Sequence, residues 1–156
     1  MTPELSETLC SVAEGMASFP SGWWIIGSAA VALHGIDAGT VHDVDLLIEA
    51  GLVEEVFDRL GVVPLAMPPD SLFRSTAFAR WNALSVAVEL MAGFEVAVCG
   101  KWQRIELHSR QQIITAAGML FVPDRQELLD LFRLFGRPKD GPRIRALAAS
   151  LATSAP

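Results

Sequence analysis

Asp43 and Asp45 stand in a run that otherwise avoids water, Asp43-Val44-Asp45-Leu46-Leu47-Ile48. Alternate residues of a strand point to opposite faces, so the two carboxylates share one face and Val44, Leu46 and Ile48 share the other. A carboxylate in an apolar strand is costly unless it is paired or holds a cation. Two of them side by side repel each other, and a divalent cation removes that conflict. The segment before this strand narrows the fold further. Trp23-Trp24-Ile25-Ile26 is an apolar strand that ends at Gly27-Ser28, and Ala29 to Gly35 continues as a short apolar helix. Ile36 to Thr40 is the turn into the acidic strand.

The rest of the chain supplies helices and more strands. Thr2-Pro3-Glu4 is a helix start, with Thr2 as cap and Pro3 in the first turn. Leu5, Leu9, Val12, Ala13 and Met16 recur at helical spacing behind it. Phe19-Pro20-Ser21-Gly22 turns into the first strand. Val53, Val56, Phe57 and Leu60 form an apolar stripe opposite Glu54, Glu55 and Asp58, and Gly61 ends that helix. Pro64, Pro68 and Pro69 mark a loop, and Phe73 to Trp81 alternates loosely as a strand. Leu84 to Met91 is a clearer strand in which Glu89 is the lone charge, on the face of Ala87 and Met91. Gly100-Lys101 is the expected turn of a hairpin, and strand pieces flank Gly118. Pro123-Asp124 opens a helix carrying Leu128, Leu131, Phe132 and Phe135, stopped by Gly136. Arg137-Pro138-Lys139-Asp140 leads to a last helix from about Pro142 to Leu151, and 152–156 reads as a frayed end.

These pieces in this order resemble the nucleotidyltransferase superfamily, the polymerase beta-like fold. The resemblance rests on Gly27-Ser28 after an apolar strand, on Asp43-Val44-Asp45 in the next strand, and on Arg137-Pro138-Lys139-Asp140 near the end. The last piece is similar to small bacterial nucleotidyltransferase-like proteins related to abortive-infection toxins. The resemblance implies an α/β (α+β) fold of the minimal nucleotidyltransferase type, a short mixed β-sheet flanked by helices. It implies that Asp43, Asp45 and Glu89 are metal ligands for Mg²⁺ or Mn²⁺ and form the catalytic set. Glu89 stands where relatives more often carry Asp, and it is the expected base. Gly27 and Ser28 would lie against the phosphates of the nucleotide. His34 is expected to end the helix after them and to bond locally. Many relatives carry a Lys in the penultimate helix, where this chain has Phe132 and Arg133. Arg74, Arg80, Arg133, Arg137 and Lys139 are therefore candidate cations for a triphosphate.

The implied function is transfer of a nucleotide monophosphate from an NTP to a hydroxyl acceptor, which could be a protein, a tRNA end or a small molecule. A toxin with an antitoxin partner fits the same resemblance. The alternative is a catalytically inactive nucleotide- or partner-binding module of the same fold. Length and composition agree with one domain over 1–156: a helix over 3–18, a core over 23–122 and helices over 124–151. With 51% apolar and 19% charged residues, the chain has material for a real core. A net charge of −6 argues against a general nucleic-acid surface. Cys10 and Cys99 are isolated, which suits a reduced, cytoplasmic setting. Gly15 to Ile36 holds no Asp, Glu, Lys or Arg, but Pro20-Ser21-Gly22 interrupts it, so no membrane span is expected.

Overall fold

The computed structural model describes residues 1–154. Helix α1 covers Pro3–Gly15, and Thr2 caps it by accepting a hydrogen bond from the Leu5 N–H at 3.2 Å. Strand β1 (Trp23–Ile26) runs directly into helix α2 (Gly27–Leu33), and β2 is Asp43–Ile48. Helix α3 (Val53–Leu60) ends where Gly61 adopts φ 68°. Then come β3 (Phe73–Arg74), β4 (Ala77–Trp81), β5 (Ala87–Ala92), β6 (Glu95–Val98) and β7 (Lys101–Arg104). A hairpin of β8 (Gln111–Thr115) and β9 (Gly118–Val122) precedes α4 (Arg125–Phe135), which Asp124 caps by accepting from the Glu127 N–H. Helix α5 covers Gly141–Ser154. No helix among the described residues is long and apolar enough to cross a membrane.

The central sheet has the order β1-β2-β5-β4 and is mixed. β2 is antiparallel to β1 and parallel to β5, and β4 is antiparallel to β5. A second sheet, β3-β6-β7, lies beside it. Val44, Leu46, Val88, Leu90, Ile25 and Ala79 are all fully buried. That is the face the strand period assigns to the core. Helix α2 packs on β1, β2 and α4, and α4 packs on β6 and α5, so α2 and α4 meet next to the start of β2.

The structure moves several expected boundaries, each for a local reason. Helix α2 begins two residues early, at Gly27, and Ser28 lies inside its first turn instead of capping it. Phe73 to Trp81 is two strands in different sheets, because β3 pairs with β6 while β4 pairs with β5. The strand expected from Leu84 starts at Ala87, since the preceding groups are taken by α1. There the Val86 N–H donates to Thr8 Oγ1 at 2.9 Å, and Ser85 Oγ donates to Glu7. The β6–β7 turn is Cys99-Gly100, one residue before the expected pair. Both residues have positive φ, 50° and 76°, as a type I′ hairpin turn requires. Residues 152–154, expected to be frayed, continue α5, while 155–156 lie outside the described residues.

Candidate active site

The register of the central sheet sets one row of residues on the face opposite the core. Ile26 pairs with Asp45, Asp45 with Glu89, and Glu89 with Arg80, across β1, β2, β5 and β4. Asp43 is two residues before Asp45 on the same face. Carboxylate oxygens of Asp43, Asp45 and Glu89 all lie within 4.8 Å of one another. All three residues are partly buried. Burial pushes the Asp45 carboxyl up to about 8, with the charges of Asp43 and Glu89 adding to the effect. Arg137 and Lys139 act in the opposite sense and hold it back.

Gly27 closes the site from the β1 side. Its φ is 69°, and a Cβ built there would stand 2.8 Å from Asp45 Oδ2. A residue without a side chain is what allows β1 to turn into α2 against the carboxylates. Ser28 follows on the wall of the same cleft, and its hydroxyl has no partner among the described residues.

The cleft has a volume of about 220 Å³. The carboxylates form one side of it. Phe73, Phe94, Phe132 and Phe135 supply apolar walls, and Arg137, Lys139 and Arg143 bring positive charge. Phe135 meets the Phe73 ring edge-on at 4.9 Å and the Phe94 ring at 6.1 Å. The cations come from the turn after α4, not from α4 itself. Asp140, fully buried in the 3-10 turn Pro138–Asp140, accepts from Arg137 Nε at 2.7 Å and from Arg143 Nη1 at 3.2 Å. Arg143 Nε also donates to Ala38 O at 2.9 Å, and Nη2 to Thr40 O at 3.3 Å. The turn after α4 is thereby tied to the loop that leads into Asp43.

Among the residues expected from sequence, the structure brings Gly27, Ser28, Asp43, Asp45 and Glu89 to one cleft. Of the candidate cations it brings Arg137 and Lys139 to the cleft. Arg133 is exposed on α4 away from it, and Arg74 pairs with Glu95 at 3.0 Å while stacking over Trp102. Arg80 lies outside the cleft but touches Glu89. The Arg137–Asp140 pair has its carboxylate buried, unlike a surface salt bridge. Arg143 was not among the expected residues. Its signal was the spacing, since an arginine three residues after Asp140 falls on the same helical face. His34 ends α2 as expected, but its Nε2 donates to the distant Pro123 O at 2.8 Å, not to a local group. Burial lowers the pKa of His34.

A set of carboxylate oxygens at this spacing suits a hard divalent cation. Burial first, and the charges of Asp43 and Glu89 after it, hold the Asp45 carboxyl up, and a bound cation would oppose both.

The sheet order, the β1–α2 turn and the carboxylate row together define the nucleotidyltransferase fold. A protein of Thermotoga maritima assigned as a nucleotidyltransferase shares it with TM-score 0.73 and 18% identity, over 96% of each chain. The lincosamide antibiotic adenylyltransferase LnuA, solved with lincomycin bound, matches with TM-score 0.58 and 12% identity over 95% of this chain and 97% of that one. ANT(2")-Ia, in complex with adenylyl-2"-tobramycin, matches with TM-score 0.56 and 12% identity over 96% of this chain and 90% of that one. At such identities the likeness establishes the fold. No family model and no curated protein matches the sequence.

Proposed function

We propose that this chain is a metal-dependent nucleotidyltransferase that moves a nucleotide monophosphate from an NTP to a hydroxyl acceptor. The observation that carries the reading is the group Asp43, Asp45 and Glu89 within 4.8 Å, set against Gly27-Ser28. In this reading Asp43, Asp45 and Glu89 hold Mg²⁺ or Mn²⁺, and the bound ion supplies charge neutralisation at the phosphates and a more acidic acceptor hydroxyl. Gly27 lets the phosphates approach the backbone, and the Ser28 hydroxyl donates to a phosphate oxygen. Lys139 and Arg137 meet the charge of the leaving end. Glu89 takes the proton of the acceptor hydroxyl as that oxygen bonds to the α-phosphorus. The bridging α–β P–O bond breaks, and pyrophosphate leaves with its electrons. The adenylyl product bound in one fold neighbour supports this class of reaction. The proposal treats the chain as one nucleotidyltransferase-like unit. It sets it in a reduced, cytoplasmic compartment, supported by the free thiols of Cys10 and Cys99.

The test is incubation with each α-labelled NTP, Mg²⁺ or Mn²⁺, and cell extract. Transfer to any acceptor that is lost in Asp43→Asn plus Asp45→Asn supports the reading. Label on a protein or tRNA would favour a toxin held by an antitoxin partner, and label on a small molecule would favour a modifying enzyme. One observation favours the inactive binding module instead: α4 turns Phe132 and Phe135, not a cation, to the cleft. Calorimetric titration with the four NTPs and Mg²⁺ separates the two, since binding without transfer selects a nucleotide-binding module, and silence from all four removes nucleotidyl transfer in favour of a partner-binding module.

A further inference from the structure

We propose that Arg80 selects the acceptor, restricting the reaction to hydroxyl compounds that carry an anionic group near the reacting oxygen. The inference rests on the nucleotidyl-transfer reading above. Arg80 is opposite Glu89 in the β4–β5 register, and its Nε lies 3.4 Å from Glu89 Oε1. Period-2 spacing sets Phe78 and Arg80 on one face, and the guanidinium lies over the Phe78 ring, 5.4 Å from its centroid. Only Nε is engaged. The two terminal nitrogens have no partner among the described residues, and the side chain is 40% exposed. The guanidinium therefore touches Glu89 with one nitrogen and keeps its fork unpaired on β4, the last strand of the central sheet, whose outer side meets the preceding loop where the Leu65 N–H donates to Phe78 O at 2.8 Å. That fork matches the geometry of a phosphate or carboxylate.

Arg80 is outside the cleft that Arg137, Lys139 and Arg143 line. Two separate positive regions thus flank the carboxylates. The one inside the cleft suits the triphosphate, which leaves the one at the sheet edge without a function in nucleotide binding. An acceptor oxygen that gives its proton to Glu89 must come within hydrogen-bond reach of it, about 3 Å. Any molecule that does so also meets Arg80. A phosphate or carboxylate on that molecule gains a charge-assisted pair, while a polycation meets a fixed guanidinium and is repelled.

The bland account is a cross-strand ion pair with no bearing on substrates, and the experiment separates the two. Cell extract is first sorted by ion exchange into anionic, neutral and cationic fractions. Each is then offered to the wild-type protein, Arg80→Gln and Arg80→Lys with α-labelled NTPs and Mg²⁺ or Mn²⁺, after thermal melts show that the variants are folded. Wild type is expected to label acceptors from the anionic fraction. Arg80→Gln is expected to need about tenfold more of that fraction for half-maximal rate, the worth of one charge-assisted hydrogen bond, whether or not the lost contact with Glu89 also lowers the maximal rate. Arg80→Lys should fall between them. Labelling from the neutral or cationic fraction, or an unchanged half-saturation in Arg80→Gln, overturns the proposal while leaving nucleotidyl transfer intact. A drop in maximal rate alone also overturns it and makes Arg80 a positioning residue for Glu89. Transfer from no NTP to any fraction removes the underlying reading, and this inference with it.

Discussion

Gly27 and Asp45 are so close that a methyl group on Gly27 would stand 2.8 Å from the Asp45 carboxylate. One residue sets the turn into α2 and the other the charge of the site, so neither is free to change alone. Gly27→Ala should cost about 1–2 kcal/mol from the left-handed backbone alone. It should also push the Asp45 carboxylate aside. Urea unfolding measures the first effect, and a weaker stabilisation by Mg²⁺ in the variant measures the second. A Gly27→Ala protein with wild-type response to metal would show that Asp45 has room to yield.

Metal should stabilise the folded protein. A cation that binds only the native state adds about 2.7 kcal/mol at a hundred times its Kd. Mg²⁺ or Mn²⁺ is expected to raise Tm in the wild type and to leave Asp43→Asn plus Asp45→Asn unmoved. The double variant should itself be more stable than metal-free wild type, because it removes a carboxyl whose ionisation is opposed by burial and by the neighbouring carboxylates. Equal metal responses in the two proteins would count against the site.

The raised Asp45 carboxyl sets a pH dependence. The folded protein keeps a proton on Asp45 up to about 8, whereas the unfolded chain releases it in the ordinary carboxylate range. Between those limits the native state binds more protons than the unfolded one. The Asp45 contribution is therefore full at the acid end and is lost as pH rises towards 8. Unfolding free energies of metal-free wild type minus Asp45→Asn, taken across that window, should decline with pH. Saturating Mg²⁺ should flatten that decline, because the metal-bound carboxylate is ionised, as it is in the unfolded chain over the same window. A flat difference without metal would mean that Asp45 is ionised throughout.

Asp140 is the buried partner of two arginines. Removing it leaves both guanidinium groups uncompensated at the wall of the cleft. Asp140→Ala should cost about 3 kcal/mol, at the low end for a broken buried pair because Arg137 and Arg143 still reach water. Chemical denaturation is the measurement. A loss below about 1 kcal/mol would place the pair among surface salt bridges.

Much of the fold was legible because its signals are local. Thr2 and Asp124 cap helices, and Gly61 and Gly136 stop them, through bonds and backbone angles within a few residues. The carboxylate pair was legible from the period of a single strand, and Glu89 from being the one charge in another. What escaped depends on partners far along the chain. Ser85 and Val86 look like strand residues until α1 supplies Glu7 and Thr8. His34 looks like a helix end until Pro123 arrives beside it. The β3–β4 break is invisible because both halves alternate alike and only their partners differ. The positive side of the cleft was half legible. Arg137 and Lys139 lie in a recognisable turn, but Arg143 gains its meaning from a loop about a hundred residues earlier, which it grips through Ala38 and Thr40.

That grip has a consequence for how the protein is made. During synthesis the carboxylates of Asp43, Asp45 and Glu89 leave the ribosome well before residues 137–143. Until those emerge, Asp43, Asp45 and Glu89 are crowded together with Arg80 beside Glu89, each ionisation among them repelled by the last, and the loop before Asp43 lacks its bonds to Arg143. An early divalent cation would relieve that repulsion before Arg137, Lys139 and Arg143 are in place. The order of the chain thus delivers the acidic half of the cleft first and the positive half, with the bonds that tie it to the loop before Asp43, about a hundred residues later.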